Sequence, residues 1–241
     1  MITAAEIKFI KSLSQKKFRD EHGLFVVEGE KLVQEALRSG FKVEKVYRKE
    51  EIGEAAMARI SGLSSPSPAL ALVRKPEDLS SAKLPSSGLF LALDGIRDPG
   101  NLGTILRLAD WFGVDWIFAS DADSRYPTSD IYNPKVVQAT MGAIFRTRLV
   151  YAPLPEIAQL FINEGMEVYG TFLDGKPIYE ESLKGEGLIV MGNESEGISP
   201  EMAACVTRRL TIPSYPVGVP TSESLNVATA TAITLSEFRR R

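Results

Sequence analysis

The sequence has almost none of the side chains on which the commonest catalytic and structural sites depend. Its 241 residues include one histidine, His22, and one cysteine, Cys205. A Ser-His-Asp hydrolase, a multi-histidine zinc site and a His-Cys cluster therefore lack the necessary side chains. A single cysteine forms no internal disulfide, which is typical of proteins in a reducing compartment. We predict no metal site.

Long apolar runs are also missing. The longest, such as Leu89 to Leu93, are far shorter than the roughly 20 residues of a membrane-spanning helix. The amphipathic start lacks the apolar core and cleavage site of a secretory signal. No GxGxxG opens a helix, so the mark of a dinucleotide-binding Rossmann site is absent. With 44% hydrophobic and 24% charged residues the chain has globular composition. We expect a soluble, cytoplasmic protein without membrane contact.

Charge is distributed unevenly along the chain. Residues 1–84 carry 15 Lys and Arg against 12 Asp and Glu, whereas residues 85–241 carry 13 against 19. A basic stripe near the start is the electrostatic mark of a phosphate-rich partner, although a solvated helix face carries the same charges. The candidate contacts to such a partner are Lys8, Lys11, Lys16, Lys17 and Arg19.

Two domains are predicted. Residues 78–88 are rich in serine, with a proline and a glycine, which is the composition of a linker. We therefore assign residues 1–84 to one domain and 85–241 to another. The first has helix patterns at 4–13, 29–38 and 50–60 and strand patterns at 24–27, 43–47 and 69–73.

The second domain has short, continuously apolar runs separated by helical patterns. This alternation is typical of a parallel sheet covered on both faces, whose ligands bind beyond the carboxyl ends of the strands. The predicted strands lie at 89–93, 116–119, 147–151, 168–172, 188–191 and 210–212, and the helices at 102–112, 155–163 and 224–238.

The first unusual strand end is followed by the sequence DPGNLGTILR, residues 98–107. Asp98 to Asn101 form a predicted turn, and we expect Asn101 to cap the helix that follows. Arg107 lies off the apolar stripe of that helix and is long enough to reach back and bind a phosphate or a carboxylate. A helix cap followed by a surface arginine explains the same residues without any function.

Two further strand ends carry polar residues. GNESEG, residues 192–197, follows a buried strand; its glycines let a ligand approach the backbone, and Glu194 there needs a partner or a task. The last strand is followed by a Pro/Gly-rich loop and by SESLNVA, residues 222–228. Helix capping accounts for one of Ser222, Ser224 and Asn226, but not for all three.

Together, the three segments resemble the three motifs of the SpoU (TrmH) family of RNA ribose 2′-O-methyltransferases. NLGTILR, GNESEG and IP followed by SESLNVA stand in the family's order, each after a predicted strand. The resemblance covers essentially residues 88–241. The stretch GLFVVEGEKLVQEAL, residues 23–37, resembles the family's substrate-binding domain, which has a ribosomal-protein-like α/β fold. Each motif alone is weak, whereas three in register are specific.

The resemblance implies an α/β fold with two parts: a C-terminal SPOUT domain with a parallel sheet and a deep trefoil knot, and a small N-terminal α/β domain that binds RNA. It also implies a homodimer through the C-terminal domain, and S-adenosyl-L-methionine as the cofactor, held against the knot. Its methyl group would pass to a ribose 2′-hydroxyl. The positions matched to catalysis are Arg107, Asn101, Glu194, Ser224 and Asn226. Those matched to the cofactor are Gly192, Ile212, Leu225, Thr171 and Asn193.

Some questions stay open at this point. The role of Arg107 is one of them: it either accepts the hydroxyl proton or anchors the adjacent phosphate. The second role is physically easier, because a guanidinium is almost never deprotonated in proteins. The insert SYPVGVPTSE, residues 214–223, makes this loop longer than in many family members, so its contacts to the cofactor are less certain than that of Leu225. The acidic balance of residues 85–241 fits RNA poorly, so we expect the N-terminal domains to supply most phosphate contacts.

The expected substrate is ribosomal RNA. A transfer-RNA ribose methyltransferase, a knotted enzyme that methylates a base nitrogen and a non-catalytic RNA-binding factor of the same fold are the alternatives. A generic α/β hydrolase is disfavoured by the lone His22.

Overall fold

A computed structural model describes residues 2–76, 86–216, 219 and 224–240. The chain divides into two compact units, Met1–Glu77 with Asp130–Arg146, and Asp78–Ser129 with Thr147–Arg241. The linker predicted at 78–88 lies for the most part outside the described residues. The stretch Asp130–Arg146, which the sequence analysis assigned to the second domain, groups with the first unit.

Helices and strands alternate in both units. The first unit contains α1 (Ala4–Ser12), α2 (Lys16–His22), β1 (Leu24–Glu28), α3 (Glu30–Arg38), β2 (Val43–Arg48), α4 (Lys49–Ile52), α5 (Glu54–Ile60) and β3 (Ala69–Arg74). The chain continues in the second unit with β4 (Leu89–Leu93), α6 (Pro99–Trp111) and β5 (Trp116–Ser120), then returns to the first with α7 (Pro134–Thr140) and a 3-10 turn (Ala143–Phe145). It ends in the second unit with β6 (Leu149–Ala152), α8 (Leu154–Asn163), β7 (Val168–Pro177), β8 (Gly187–Met191), α9 (Pro200–Ala203), β9 (Arg208–Thr211) and α10 (Val227–Arg240).

The first unit is built on an antiparallel sheet in the order β1-β3-β2. Ile10 of α1, Met57 of α5 and Leu70 of β3 belong to one apolar cluster that covers a face of this sheet. Phe25 of β1 packs against Tyr132, with ring centroids 4.8 Å apart. Residues 130–146 therefore contribute to the apolar packing of this unit. Helix α2 was not predicted, and the helix predicted at 50–60 is two helices that meet at Gly53, whose φ is +87°.

The second unit is built on a six-stranded sheet in the order β6-β5-β4-β8-β7-β9, and every pairing in it is parallel. This confirms the predicted parallel sheet. Strands β4, β5 and β8 are buried at every residue, as their continuous apolar sequences require. Phe90, Phe118 and Phe161 pack edge to face between the sheet and α8.

The order of the strands fixes where a ligand of this sheet binds. From β4 the chain proceeds to β5 and β6 on one side, whereas β8 has β7 and β9 on the other. Strands β4 and β8 are neighbours, and the strands connected to each of them lie on opposite sides. Ligands of open parallel sheets bind at such a point, beyond the carboxyl ends of the two strands. All three motifs of the sequence analysis follow strands at this edge.

Two classes of site find no support in the described residues. Among them, no helix is long and apolar enough to cross a bilayer. Over the same ranges, no group of three or more His, Cys, Asp and Glu residues is placed to hold a metal ion.

Candidate active site

Helix α6 begins one turn earlier than predicted. Asp98 is its N-cap, because its Oδ1 accepts a hydrogen bond from the backbone N–H of Asn101 at 2.8 Å, and Pro99 occupies the first helical position. The prediction that Asn101 caps the helix is therefore wrong. Asn101 lies in the first turn, which leaves its side-chain amide available to the neighbouring loops.

The loop after β8 folds back on itself. The backbones of Asn193 and Gly197 exchange two hydrogen bonds, of 2.8 and 3.0 Å. A Cβ atom on Gly192 would lie 2.3 Å from the carbonyl carbon of Gly197 and from the backbone nitrogen of Ile198, so only glycine fits there. The reversal places Glu194 at the tip of the loop.

Asn193 holds this loop in shape. Its Oδ1 accepts hydrogen bonds from the backbone N–H groups of Ser195 at 2.9 Å and Glu196 at 3.1 Å, and its Nδ2 donates to the carbonyl of Gly95 at 2.7 Å. The residue is 7% exposed. We predicted a cofactor contact at this position. The structure gives its side chain a structural task, because these bonds occupy the amide oxygen and fix the amide nitrogen. The cofactor contact at this position stays a prediction.

The third motif positions the start of α10. Oδ1 of Asn226 accepts hydrogen bonds from the backbone N–H groups of Ala228 at 3.0 Å and Thr229 at 3.2 Å, so Asn226 is the residue that caps this helix. Ser224 and Leu225 precede it. The remainder of the predicted long loop, residues 217–218 and 220–223, lies outside the described residues.

Asn226, Asn101 and Glu194 form a hydrogen-bonded chain, here termed the amide relay. Nδ2 of Asn226 donates to Oδ1 of Asn101 at 2.9 Å, and Nδ2 of Asn101 donates to Oε1 of Glu194 at 3.0 Å. Its direction is fixed at both ends. The helix N–H groups occupy Oδ1 of Asn226, which leaves its Nδ2 as the donor, and the carboxylate of Glu194 only accepts. Each of the three motifs contributes one member.

A cavity of about 740 Å³ lies beside the relay, a size typical of small-molecule sites. Glu194 lines it, so the relay ends at its wall, and Ser224 lines it as well. All five positions matched to the cofactor also line it: Gly192, Ile212, Leu225, Thr171 and Asn193. Apolar side chains form much of the remaining wall, among them Phe172, Met191, Ile198 and Val227.

The structure does not bring Arg107 into this arrangement. Its side chain is exposed on α6 and does not line the cavity. Over residues 2–76, 86–216, 219 and 224–240, no hydrogen bond or ion pair engages its guanidinium. Arg107 is therefore free to bind an anion that arrives with a substrate.

Arg19 is not the RNA contact that its basic neighbours suggested. It is 1% exposed, and its Nη2 lies 2.6 Å from Oδ2 of Asp130. Its Nη1 donates to the carbonyls of Leu13 and Ser14, both at 2.8 Å. The prediction for Arg19 is wrong because its partner lies 111 positions away in the sequence, and no local pattern reveals it.

A second cavity, of about 590 Å³, lies within the first unit. The carboxylate of Glu28 at its wall is buried and accepts hydrogen bonds from the backbone N–H of Gly62 at 2.9 Å and from the hydroxyl of Ser61. These bonds tie the loop after α5 to the end of β1. None of the three motifs contributes to this cavity, so the larger one is the candidate active site.

Both parts of the chain are similar to known proteins. The sequence profile described as the SpoU rRNA Methylase family matches residues 88–236. A second profile, described as the MRM3-like substrate binding domain, matches residues 4–71. The chain is 31% identical over 250 residues to a Bacillus subtilis (strain 168) protein named 23S rRNA (guanosine(2553)-2′-O)-methyltransferase RlmP, covering 97% of this chain and 96% of that protein.

Two solved structures are similar over the full chain. A putative RNA methyltransferase of the TrmH family from Porphyromonas gingivalis is 38% identical, with a TM-score of 0.85 over 100% of this chain and 99% of that one. An AdoMet-bound rRNA methyltransferase from Sinorhizobium meliloti is 30% identical, with a TM-score of 0.79 over 100% of this chain and 96% of that one. The second of these was solved with the cofactor that the motifs imply.

Proposed function

Since the chain belongs to the SpoU rRNA methylase family, we propose that it transfers a methyl group from S-adenosyl-L-methionine to a ribose 2′-hydroxyl of ribosomal RNA. The observation that carries this proposal is the amide relay, which unites the three motifs at the wall of the 740 Å³ cavity.

The cavity fits S-adenosyl-L-methionine in size and in chemistry. Its apolar walls suit the flat adenine ring, and the carboxylates of Glu194 and Glu196 at its edge favour a positively charged ligand. We propose Gly192, Ile212, Leu225 and Thr171 as the cofactor contacts, with Asn193 shaping the loop. The bound cofactor supplies an electrophilic methyl group on a sulfonium.

The side chains of the site then align the ribose. Asn226 fixes Asn101, and Asn101 is held between Asn226 and Glu194, so little reorganisation is needed when the 2′-hydroxyl arrives. We assign to Arg107 the phosphate next to the reacting ribose, because its guanidinium is exposed and almost never loses a proton. Ser224 lines the cavity beside the relay and is a further contact for the ribose.

The first unit is proposed to bind the RNA. Its sequence matches a substrate-binding domain, and Lys8, Lys11, Lys16 and Lys17 are all exposed. Arg19 is excluded from this set because it is buried in its ion pair with Asp130. Since the remaining contacts are to phosphates, binding should weaken steeply with salt.

We also propose that two copies associate through the second unit. Helices α6 and α10 pack on each other, and Trp111 at the end of α6 is 85% exposed. Large exposed aromatic side chains of this kind are enriched in protein interfaces. Sedimentation of the wild type and of Trp111→Ala tests this: a dimer that the substitution weakens is expected, and a monomeric wild type would contradict it. The trefoil knot and the cytoplasmic location stay predictions.

The reaction is tested by incubating the protein with methyl-labelled S-adenosyl-L-methionine and an unmodified 23S rRNA transcript, followed by digestion to nucleosides. Label in a 2′-O-methylnucleoside is the expected result. Label on a base would support a base methyltransferase. Label in transfer RNA and none in the 23S transcript would move the substrate to tRNA. Label in neither RNA would support the non-catalytic factor.

A further inference from the structure

Two exposed arginines at the edge of the second unit converge on one aromatic ring. The guanidinium carbons of Arg97 and Arg125 each lie 5.1 Å from the centroid of Tyr126. The two cations are therefore no more than about 10 Å apart, which is roughly one Debye length at 0.1 M salt, so their mutual repulsion is not fully screened. Neither side chain forms an ion pair in the part of the chain that the structure describes.

Three carboxylates that lie close to the arginines in sequence form no ion pair with them among the described residues. Asp98 caps α6 through the N–H of Asn101, and Oδ1 of Asp121 accepts a hydrogen bond from the N–H of Ser124 at 3.0 Å. Asp123 is exposed and forms no ion pair with either arginine. Two like charges held close together, with no ion-pair partner among the described residues, favour the arrival of an anion.

The two loops that carry the arginines are joined by a frame of hydrogen bonds. Oγ of Ser120 accepts from the N–H of Gly95 at 3.0 Å and donates to the carbonyl of Tyr126 at 2.7 Å. Oγ1 of Thr128 donates to the carbonyl of Leu93 at 2.9 Å, so the loop after β5 is tied to the end of β4. A Cβ atom on Gly95 would lie 2.7 Å from Cβ of Tyr126, which shows how closely the two loops pack.

This frame continues into the candidate active site. The carbonyl of Gly95 accepts the hydrogen bond from Asn193 that shapes the Glu194 loop, and Arg97 directly precedes Asp98, the cap of α6. Arg97 therefore lies four residues before Asn101, and Arg125 lies on the loop after β5 that is tied to the end of β4.

We propose that Arg97 and Arg125, held over Tyr126, bind backbone phosphates of the RNA beside the nucleotide that is methylated. This inference rests on the proposed function. It also gives a unit with an acidic balance two positive charges at the edge where the reaction is proposed. Arginine suits this role because its planar guanidinium both stacks on an aromatic ring and donates hydrogen bonds to phosphate.

The test compares Arg97→Ala, Arg125→Ala and the double variant with the wild type. Arg148→Ala is the matched control. Arg148 is also exposed, and its guanidinium carbon lies 5.6 Å from the centroid of the Trp116 ring. It differs in position, because it precedes β6 at the opposite end of the strands. Affinity for the unmodified 23S rRNA transcript is measured between about 0.05 and 0.2 M salt, together with calorimetric binding of S-adenosylhomocysteine and thermal unfolding.

Each phosphate contact contributes a slope of about −0.7 to −0.9 in log K against log salt. The wild type should therefore lose roughly 7- to 12-fold more affinity than the double variant over this fourfold change in salt. Each single variant should lower the slope by about 1, and Arg148→Ala should leave it unchanged. If either alanine variant unfolds, the Arg97→Gln and Arg125→Gln variants replace it.

An unchanged salt slope in the double variant, or an equal change in Arg148→Ala, would overturn the inference. If the wild type still binds S-adenosylhomocysteine and methylates ribose in that case, the proposed function stands. A wild type that does neither overturns the proposed function itself.

Discussion

Replacing Asn226 by aspartate separates the two tasks of this residue. Aspartate caps helices as well as asparagine does, and its negative charge is favourable at a helix N-terminus. The N–H groups of Ala228 and Thr229 therefore keep their acceptor. What the variant loses is the donor to Asn101, because a carboxylate only accepts.

The magnitude follows from the geometry of the amide relay. In Asn226→Asp a carboxylate oxygen faces Oδ1 of Asn101 at the place of the 2.9 Å bond. Asn101 escapes this repulsion only by rotating its amide, which then turns Oδ1 toward Glu194 and breaks the 3.0 Å bond there. A hydrogen bond to a charged group contributes about 1.5–3 kcal/mol. If the relay sets the position of the ribose, methyl transfer falls by about 10- to 150-fold.

The assay is kcat/KM for methyl transfer to the 23S rRNA transcript, with the melting temperature and S-adenosylhomocysteine affinity measured alongside. We expect both of these to stay near the wild-type values. Asn133→Asp is the matched control, because Asn133 also caps a helix, through the N–H of Lys135, and takes no part in the relay. A wild-type rate in Asn226→Asp would refute the relay's role, as would an equal loss of rate in Asn133→Asp.

Three further substitutions have distinct expected outcomes. Arg107→Ala should lower methyl transfer by about 10²- to 10³-fold with unchanged S-adenosylhomocysteine binding, and a wild-type rate would remove Arg107 from the site. In Gly192→Ala the new Cβ would lie 2.3 Å from backbone atoms of Gly197 and Ile198, so the loop must open. The affinity for S-adenosylhomocysteine, measured by calorimetry, should fall by about tenfold. An unchanged affinity would contradict the close packing at Gly192. Arg19→Met leaves the charge of Asp130 unpaired and should lower the free energy of unfolding, measured in urea, by about 3–5 kcal/mol. Lys16→Ala removes the exposed ion pair with Asp20 and should lower it by at most about 1 kcal/mol. Equal effects would show that the Arg19 pair is not buried.

Much of the second unit was predictable because its signals are local. Continuous apolar strands such as Leu89–Leu93 and Gly187–Met191 predict a parallel sheet, and the rule for ligands of such sheets then directs attention to the loops after them. Asn101 and Glu194 of these two motifs meet in a hydrogen bond, and Glu194 lines the cavity. No local pattern, however, reveals that Asn101 leaves the capping of α6 to Asp98 and bonds to residues 93 and 125 positions away.

The misses in the first unit have the same cause. The basic residues Lys16, Lys17 and Arg19 predict contacts to a phosphate-rich partner, yet Arg19 is buried in an ion pair with Asp130. That contact exists only because residues 130–146 return to the first unit, and the sequence between two strands of the parallel sheet gives no signal of this return. The arginine pair over Tyr126 was missed as well, because Arg97 and Arg125 meet only when the loops after β4 and β5 are tied together.

The most direct test of the site is a calorimetric titration of S-adenosylhomocysteine into the wild type, Leu225→Ala and Leu160→Ala. The two leucines are similarly exposed, at 47% and 52%, but only Leu225 lines the cavity, so Leu160 is the control. We predict saturable binding near one ligand per chain, weakened by about 3- to 30-fold in Leu225→Ala because apolar contact is lost, and unchanged in Leu160→Ala. No binding by the wild type at millimolar ligand, or equal affinity in all three proteins, would contradict the assignment of this cavity to the methyl donor.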